Sequence, residues 1–142
     1  IDPNFFKPNY DEIVETIRLV APYFDDFILE PQEGNEEQIV LRWRQTGCED
    51  VFNASQLSDG TLRFICLTTL LLQPHELQPA TIIIDEPELG HIHAITIFSE
   101  IVRQLSNEKQ IIISTQSVEL LNEFDVEDVM IRYNNLRKLK TA

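Results

Sequence analysis

Glycine is scarce in this chain of 142 residues. The four present, Gly34, Gly47, Gly60 and Gly90, are never followed by lysine, so no GxxxxGK[ST] phosphate loop can be written anywhere. Cysteine is limited to Cys48 and Cys66, which are neither at CxxC spacing nor numerous enough for a disulfide framework. Cys66 falls inside an apolar helical stretch and is expected to be a small buried hydrophobe. Long hydrophobic runs are missing too: Ile82 to Ile84, Ile111 to Ile113 and the stretch around Leu67 to Leu72 fall far short of the roughly 20 residues that cross a bilayer. The opening Ile1-Asp2-Pro3 lacks the basic-then-apolar layout of a signal peptide, so a cytoplasmic protein with no membrane partner is expected. The missing initiator Met suggests a piece of something longer, a pattern that removal of a tag or processing would also give.

Positive charge is the other shortage. Eleven Lys and Arg stand against 24 Asp and Glu, a net charge of −13. Nucleic-acid affinity comes largely from neutralising phosphates, so most of this surface should repel DNA, and DNA contact would have to come through other regions. Arg132, Arg137, Lys138 and Lys140 do cluster near the C-terminus, where a solvated tail is the preferred reading over a DNA contact. What is present is ordinary: a hydrophobic share of 43% and a charged share of 25% are those of a globular domain able to bury a core.

Two rhythms divide the chain. In residues 1–52, Ile13, Val14, Ile17, Leu19 and Val20 stand at mixed three- and four-residue spacing until Pro22, predicting an amphipathic helix over Tyr10 to Val20. Phe24 to Leu29 predicts a strand, Pro31 to Glu37 a polar acidic turn, and the alternation of Ile39, Leu41 and Trp43 a half-buried second strand. A helix and a small antiparallel pair follow from that. In residues 53–142 helices and strands alternate: helix Thr61–Leu72, strand Thr81–Ile84, helix Ala94–Leu105, strand Gln110–Ser114, short helix Val118–Phe124 and strand Val129–Tyr133. Such alternation predicts an α/β parallel sheet with right-handed crossovers. The all-apolar, β-branched strands Ile82–Ile84 and Ile111–Ile113 are expected to be covered on both faces, with ligands at their carboxyl ends.

The chemistry-bearing residues gather at those ends. Asp85 and Glu86 follow an apolar strand directly, and Pro87 stops it. In phosphate chemistry Asp85 would help hold Mg²⁺ while Glu86 polarises an attacking water. Ser58-Asp59-Gly60 stands at a helix start, where Ser58 or Asp59 can cap backbone amides and Gly60 admits close approach. Amides there, with the positive end of the macrodipole, suit a γ-phosphate; an ordinary N-cap is the alternative. The third string, Ser114-Thr115-Gln116-Ser117, is a polar loop after a buried strand. Between them Pro87-Glu88-Leu89-Gly90-His91-Ile92-His93 offers a His-x-His, but at a helix start the two imidazoles diverge and metal binding is disfavoured. Arg63, one turn into the first of these helices, can meet a phosphate or pair with an acid.

As an ordered set over about residues 53 to 133, Leu57-Ser58-Asp59-Gly60-Thr61, Thr81-Ile82-Ile83-Ile84-Asp85-Glu86 and Ser114-Thr115-Gln116-Ser117 resemble the signature motif, Walker B motif and switch segment of an ABC-type ATPase of the RecF/SMC-like, OLD-related AAA-domain branch. The resemblance implies the fold of a parallel-sheet C-terminal lobe of a P-loop NTPase, an ABC ATPase head, preceded by the small N-terminal helix and antiparallel strand pair. It implies ATP and Mg²⁺ as cofactors, a head-to-tail homodimer, and Ser58, Asp59 and Gly60 against the partner subunit's nucleotide. Asp85 then holds Mg²⁺, and Glu86 and Gln116 are catalytic. Asp59 departs from the common LSGGQ form in the manner of RecF-like members. Gln116 stands where the family usually has a histidine and cannot become cationic, so slow hydrolysis is expected. After Gly90 the ELGLHP-like string of the branch is not kept, which leaves His91 and His93 without an assigned subunit contact. Without the phosphate-binding lobe, to be supplied by the same polypeptide or another chain, this chain alone should be inactive. The implied setting is DNA repair and maintenance or anti-phage defence. Two rival readings are a non-catalytic interaction module derived from an ATPase lobe, and, ranked last, an independent Mg²⁺ hydrolase built on Asp85, Glu86 and Glu88.

Overall fold

A computed structural model describes residues 6–32 and 34–131. Helix α1 (Lys7–Val20) starts with Pro8 in its first turn, where a missing N–H is harmless, and buries Ile13, Val14 and Ile17 on one stripe. It leads into an antiparallel sheet of three strands rather than the expected two, in the order β1 (Phe24–Ile28), β4 (Arg42–Gln45), β5 (Val51–Asn53). Trp43, opposite Phe27 on one side and Phe52 on the other, is the buried anchor of that sheet.

Residues 31–39 correct the expectation of a turn. They form a hairpin, β2 (Pro31–Gln32) against β3 (Asn35–Ile39), bent at Gly34 with φ +81°. Backbone pairing, with no buried apolar face, organises it, since every described side chain in both strands is exposed, including Ile39. The half-buried strand expected across Ile39, Leu41 and Trp43 is therefore broken at Val40–Leu41, and only Trp43 of the three is buried.

The second half follows its predicted order closely. Helix α2 (Asp59–Leu72) leads to β6 (Thr81–Asp85), α3 (Ile92–Leu105), β7 (Gln110–Ser114) and the short α4 (Val118–Leu121). Strands β6 and β7 pair in parallel, with Ile83 opposite Ile112 and Asp85 opposite Ser114, and α3 is the crossover between them. The strand expected over Val129–Tyr133 is not found in its described part: a 3₁₀ turn spans Val126–Asp128, and 129–131 are irregular. Its remainder, with Arg132, Arg137, Lys138 and Lys140, lies outside the described residues.

Two apolar clusters share α2 as a common wall. Ile65 joins Ile13, Val14, Ile17, Phe24, Trp43 and Leu57 on one side. Phe64 and Leu71 join Ile82, Ile84, Leu89, Phe98, Val102 and Leu120 on the other. Each large apolar side chain fully withdrawn from water contributes about 1.5–3 kcal/mol. This geometry corrects the expectation for Cys66. The arc of α2 holding Phe64, Ile65, Thr68 and Leu71 is used up by the two clusters, and Cys66 projects from the opposite side, exposed.

The β6–β7 pair is likewise covered on one face only. Ile82 and Ile84 are buried, whereas Ile83 is 73% and Ile112 48% exposed. Both belong to the face that carries Asp85 and Ser114 at its carboxyl end, and no described element covers them. No described helix is long and apolar enough to cross a membrane.

Candidate nucleotide site

The site is assembled where β6 and β7 end side by side. Ladder pairing continues one residue beyond β6, since the Glu86 N–H donates to the Ser114 carbonyl at 2.8 Å. That places Asp85 and Glu86 beside the segment Ser114–Ser117. The Ser114 hydroxyl donates to the Asp85 carboxylate. The Gln116 backbone N–H donates to Glu86 Oε2 at 3.2 Å, and its side-chain amide Nε2 donates to Oε1 at 3.3 Å. Asp85, Glu86 and Gln116 are thus brought together, with Ser114 as a fourth member whose role the residue types alone did not disclose. The parallel register, Asp85 opposite Ser114, is the signal that finds it.

After Glu86 the chain turns sharply. Glu86 has φ +46°, the left-handed region that a β-carbon disfavours, and Gly90 has φ +67°, where glycine is free to go. Pro87 and Leu89 are buried between these two turns, and the Glu88 N–H closes on the Glu86 carbonyl at 2.7 Å. His91 then caps α3, its Nδ1 accepting from the His93 N–H at 3.2 Å. Among the described residues no group of three His, Cys, Asp or Glu is placed to hold a metal ion.

Ser58, Asp59 and Gly60 form the start of α2, as predicted. The Ser58 hydroxyl accepts from the Thr61 N–H at 3.1 Å and lies 2.8 Å from the Thr61 hydroxyl, a serine N-cap. Asp59 is exposed in the first turn. Gly60 is tightly placed: a β-carbon there would lie 3.1 Å from the Leu89 carbonyl oxygen, closer than side chains ordinarily approach. Arg63 pairs with an acid, Nη1 donating both to the Glu88 carboxylate and, at 3.4 Å, to the Glu88 carbonyl. Among the described residues no hydrogen bond or ion pair joins Ser58 or Asp59 to Asp85, Glu86 or Gln116. The helix start reaches the carboxylates only through the loop of Glu88 and Leu89.

A cleft of about 520 Å³ lies beneath β7, lined by Val102, Ile111, Ile113, Leu120 and Phe124 and reaching Ser114 and Thr115. Its walls include neither Asp85 nor Glu86, and it adjoins the carboxylate site at Ser114.

The donor set suits Mg²⁺ delivered with a phosphate ligand better than a metal held by protein alone. Mg²⁺ takes oxygen ligands and is commonly bound through one or two carboxylates plus substrate phosphates and water, and here two adjacent carboxylates and a hydroxyl stand at an accessible strand edge.

Residues 2–122 match the model of a family described as "AAA domain, putative AbiEii toxin, Type IV TA system". No curated protein matches. Among solved structures the chain is similar to an Smc head bound to the C-terminal winged-helix domain of ScpA, with TM-score 0.63 and 16% identity over 83% of this chain and 37% of that one. It is similar also to a structure from work on ATP-driven dimerization and DNA-stimulated activation of SMC ATPases, with TM-score 0.61 and 16% identity over 84% of this chain and 74% of that one. A third is the Pyrococcus furiosus Smc head with an extended coiled coil, bound to the C-terminal domain of ScpA, with TM-score 0.61 and 15% identity over 82% of this chain and 30% of that one. At such identities the likeness shows the fold, a mixed α/β ATPase-head lobe. The chain spans little more than a third of the first of these relatives.

Proposed function

The chain belongs to the AAA-domain family that matches residues 2–122, and on that premise we propose that it is the carboxylate-bearing lobe of a RecF/SMC-like ABC ATPase. Residues 53–142 form that lobe, with residues 1–52 leading into it. It binds and hydrolyses ATP with Mg²⁺ once joined to a phosphate-loop lobe and paired head to tail with a second copy. The observation that carries this reading is the juxtaposition, at the ends of two parallel strands, of Asp85 held by Ser114 and Glu86 held by Gln116.

In this reading Asp85 is the ligand for Mg²⁺, and the Ser114 hydroxyl fixes the carboxylate's orientation. Bound Mg²⁺ supplies charge neutralisation to the phosphates. Glu86 accepts the proton of the attacking water, and the two donors from Gln116 hold its carboxylate in one orientation. A neutral amide gives no cationic stabilisation to the transition state, so turnover is slow. Ser58, Asp59 and Gly60 meet the nucleotide of the partner subunit, where first-turn amides and the helix dipole favour phosphate.

The bare face at Ile83 and Ile112 supports an incomplete lobe, because two adjacent isoleucines on an open sheet face are surface that a missing layer would withdraw from water. The setting in this reading is cytoplasmic, in DNA maintenance or defence against foreign DNA, and the family's toxin description favours defence. With a net charge of −13, contact with DNA falls to other parts of the assembly.

The test is Glu86→Gln in the intact protein. Loss of a general base lowers turnover by about 10²–10⁴-fold while leaving nucleotide binding in place. Unchanged turnover would reject the catalytic reading in favour of a non-catalytic interaction module.

A further inference from the structure

Of the two roles that its sequence position allows Arg63, the structure shows the pairing with an acid, Glu88, and the place of that pair carries a consequence for the loop that follows β6. Glu86 holds a backbone conformation that persists in non-glycine residues only where the surroundings over-determine it. Its own restraints are the hydrogen bonds to Ser114, Glu88 and Gln116. The next restraints come from α2. Arg63, the only cation in that helix, grips both the carboxylate and the carbonyl of Glu88, and the Leu89 carbonyl lies against Gly60. The helix is a firm base, since Phe64 and Ile65, the two residues after Arg63, are buried in the two separate apolar clusters.

We propose that Arg63 is a positioning residue that clamps the Glu86–Leu89 loop to the first turn of α2, so that the helix end and the Glu86 carboxylate move as one unit. This rests on the reading above, in which that helix end meets the partner's nucleotide: occupancy on one side is then passed mechanically to the water-activating carboxylate on the other. Both members of the Arg63–Glu88 pair are largely solvent-exposed, and such pairs add little to stability. Its effect is therefore sought in loop geometry and not in unfolding.

The experiment is ¹H–¹⁵N NMR of this chain without nucleotide, comparing Arg63→Gln, Glu88→Gln, the double variant and Arg63→Lys. Lys7→Gln, which breaks a similarly exposed pair with Asp11, is the control. Arg63→Gln is expected to shift the amide resonances of Glu86 and Gln116 well beyond the control and to speed exchange of the Gln116 amide about tenfold. Glu88→Gln does the same, the double variant moves them no further than either single change, and lysine restores most of the native positions. Shifts confined to residues touching the substitution, with Glu86 and Gln116 unmoved, would overturn the proposal. Because no ATP enters the measurement, its failure is separable from that of the ATPase reading, which the turnover of Glu86→Gln decides.

Discussion

Two neighbouring isoleucines in β6 should respond oppositely to the same change. Ile82 is 3% exposed and packed in the larger cluster, so Ile82→Ala removes a buried branched side chain and leaves a cavity, at a cost of about 2–5 kcal/mol. Ile83 has roughly a quarter of its surface covered, so the burial lost in Ile83→Ala is about 0.5 kcal/mol on the usual 1.5–3 kcal/mol for complete burial. Both changes also lose β-branching, worth up to about 1 kcal/mol in a strand. The difference that remains is about 2–4 kcal/mol. Urea unfolding of the chain followed by circular dichroism measures it, with equal slopes in denaturant confirming that stability alone has changed. At about 2–4 °C per kcal/mol in Tm, thermal unfolding should separate the variants by about 5–15 °C. Equal losses for Ile82→Ala and Ile83→Ala would refute the open face, since Ile83 would then be covered in solution. On the proposal that a phosphate-loop lobe covers this face, the reasoning reverses in the assembly that contains it: Ile83→Ala should there cost nearly as much as Ile82→Ala.

Titration of the isolated chain with a non-hydrolysable ATP analogue and Mg²⁺ should show no detectable heat of binding. Tight binding abolished by Asp85→Ala would mean that it holds nucleotide without a phosphate loop. Gly60→Ala places a methyl 3.1 Å from a backbone carbonyl anchored by buried Leu89, so a loss of about 1 kcal/mol is expected in place of the gain of up to about 1 kcal/mol that alanine brings to a free helix. A net gain measured by urea unfolding would show that the loop yields freely. The Tyr10 phenol is held above its usual pKa by burial first and then by its 2.5 Å hydrogen bond to the Asp26 carboxylate. Its contribution is complete below the unfolded value of about 10 and is lost as pH rises above that. Tyr10→Phe should therefore flatten the fall of stability between about pH 10 and 12, and an unchanged slope would place the alkaline sensitivity elsewhere.

Periodicity made most of the second half legible. Helix α2, strand β6, helix α3 and strand β7 lie where apolar spacing puts them, because each has enough apolar residues to declare its buried face. The hairpin at 31–39 was not legible, since backbone pairing holds a strand pair whose side chains all face water and leaves no alternation to read. Cys66 misled for the converse reason: an apolar helix does not say which arc its neighbours will use.

The candidate site divides along the same line. Local sequence suffices to identify Asp85 and Glu86 at a strand end and Ser58 at a helix start, because an apolar run closed by acid and proline, or a serine before a helical stretch, needs only its near neighbours. Tertiary structure alone decided that Ser114 holds Asp85, that Gln116 holds Glu86, that Arg63 reaches Glu88, and that Ile83 and Ile112 face solvent. Those contacts join residues about 25 to 30 positions apart, and the run Ile82-Ile83-Ile84 reads the same whether one face of its sheet is covered or two. Only packing distinguishes the cases, since covering a face depends on a layer that the strand's own residues do not encode.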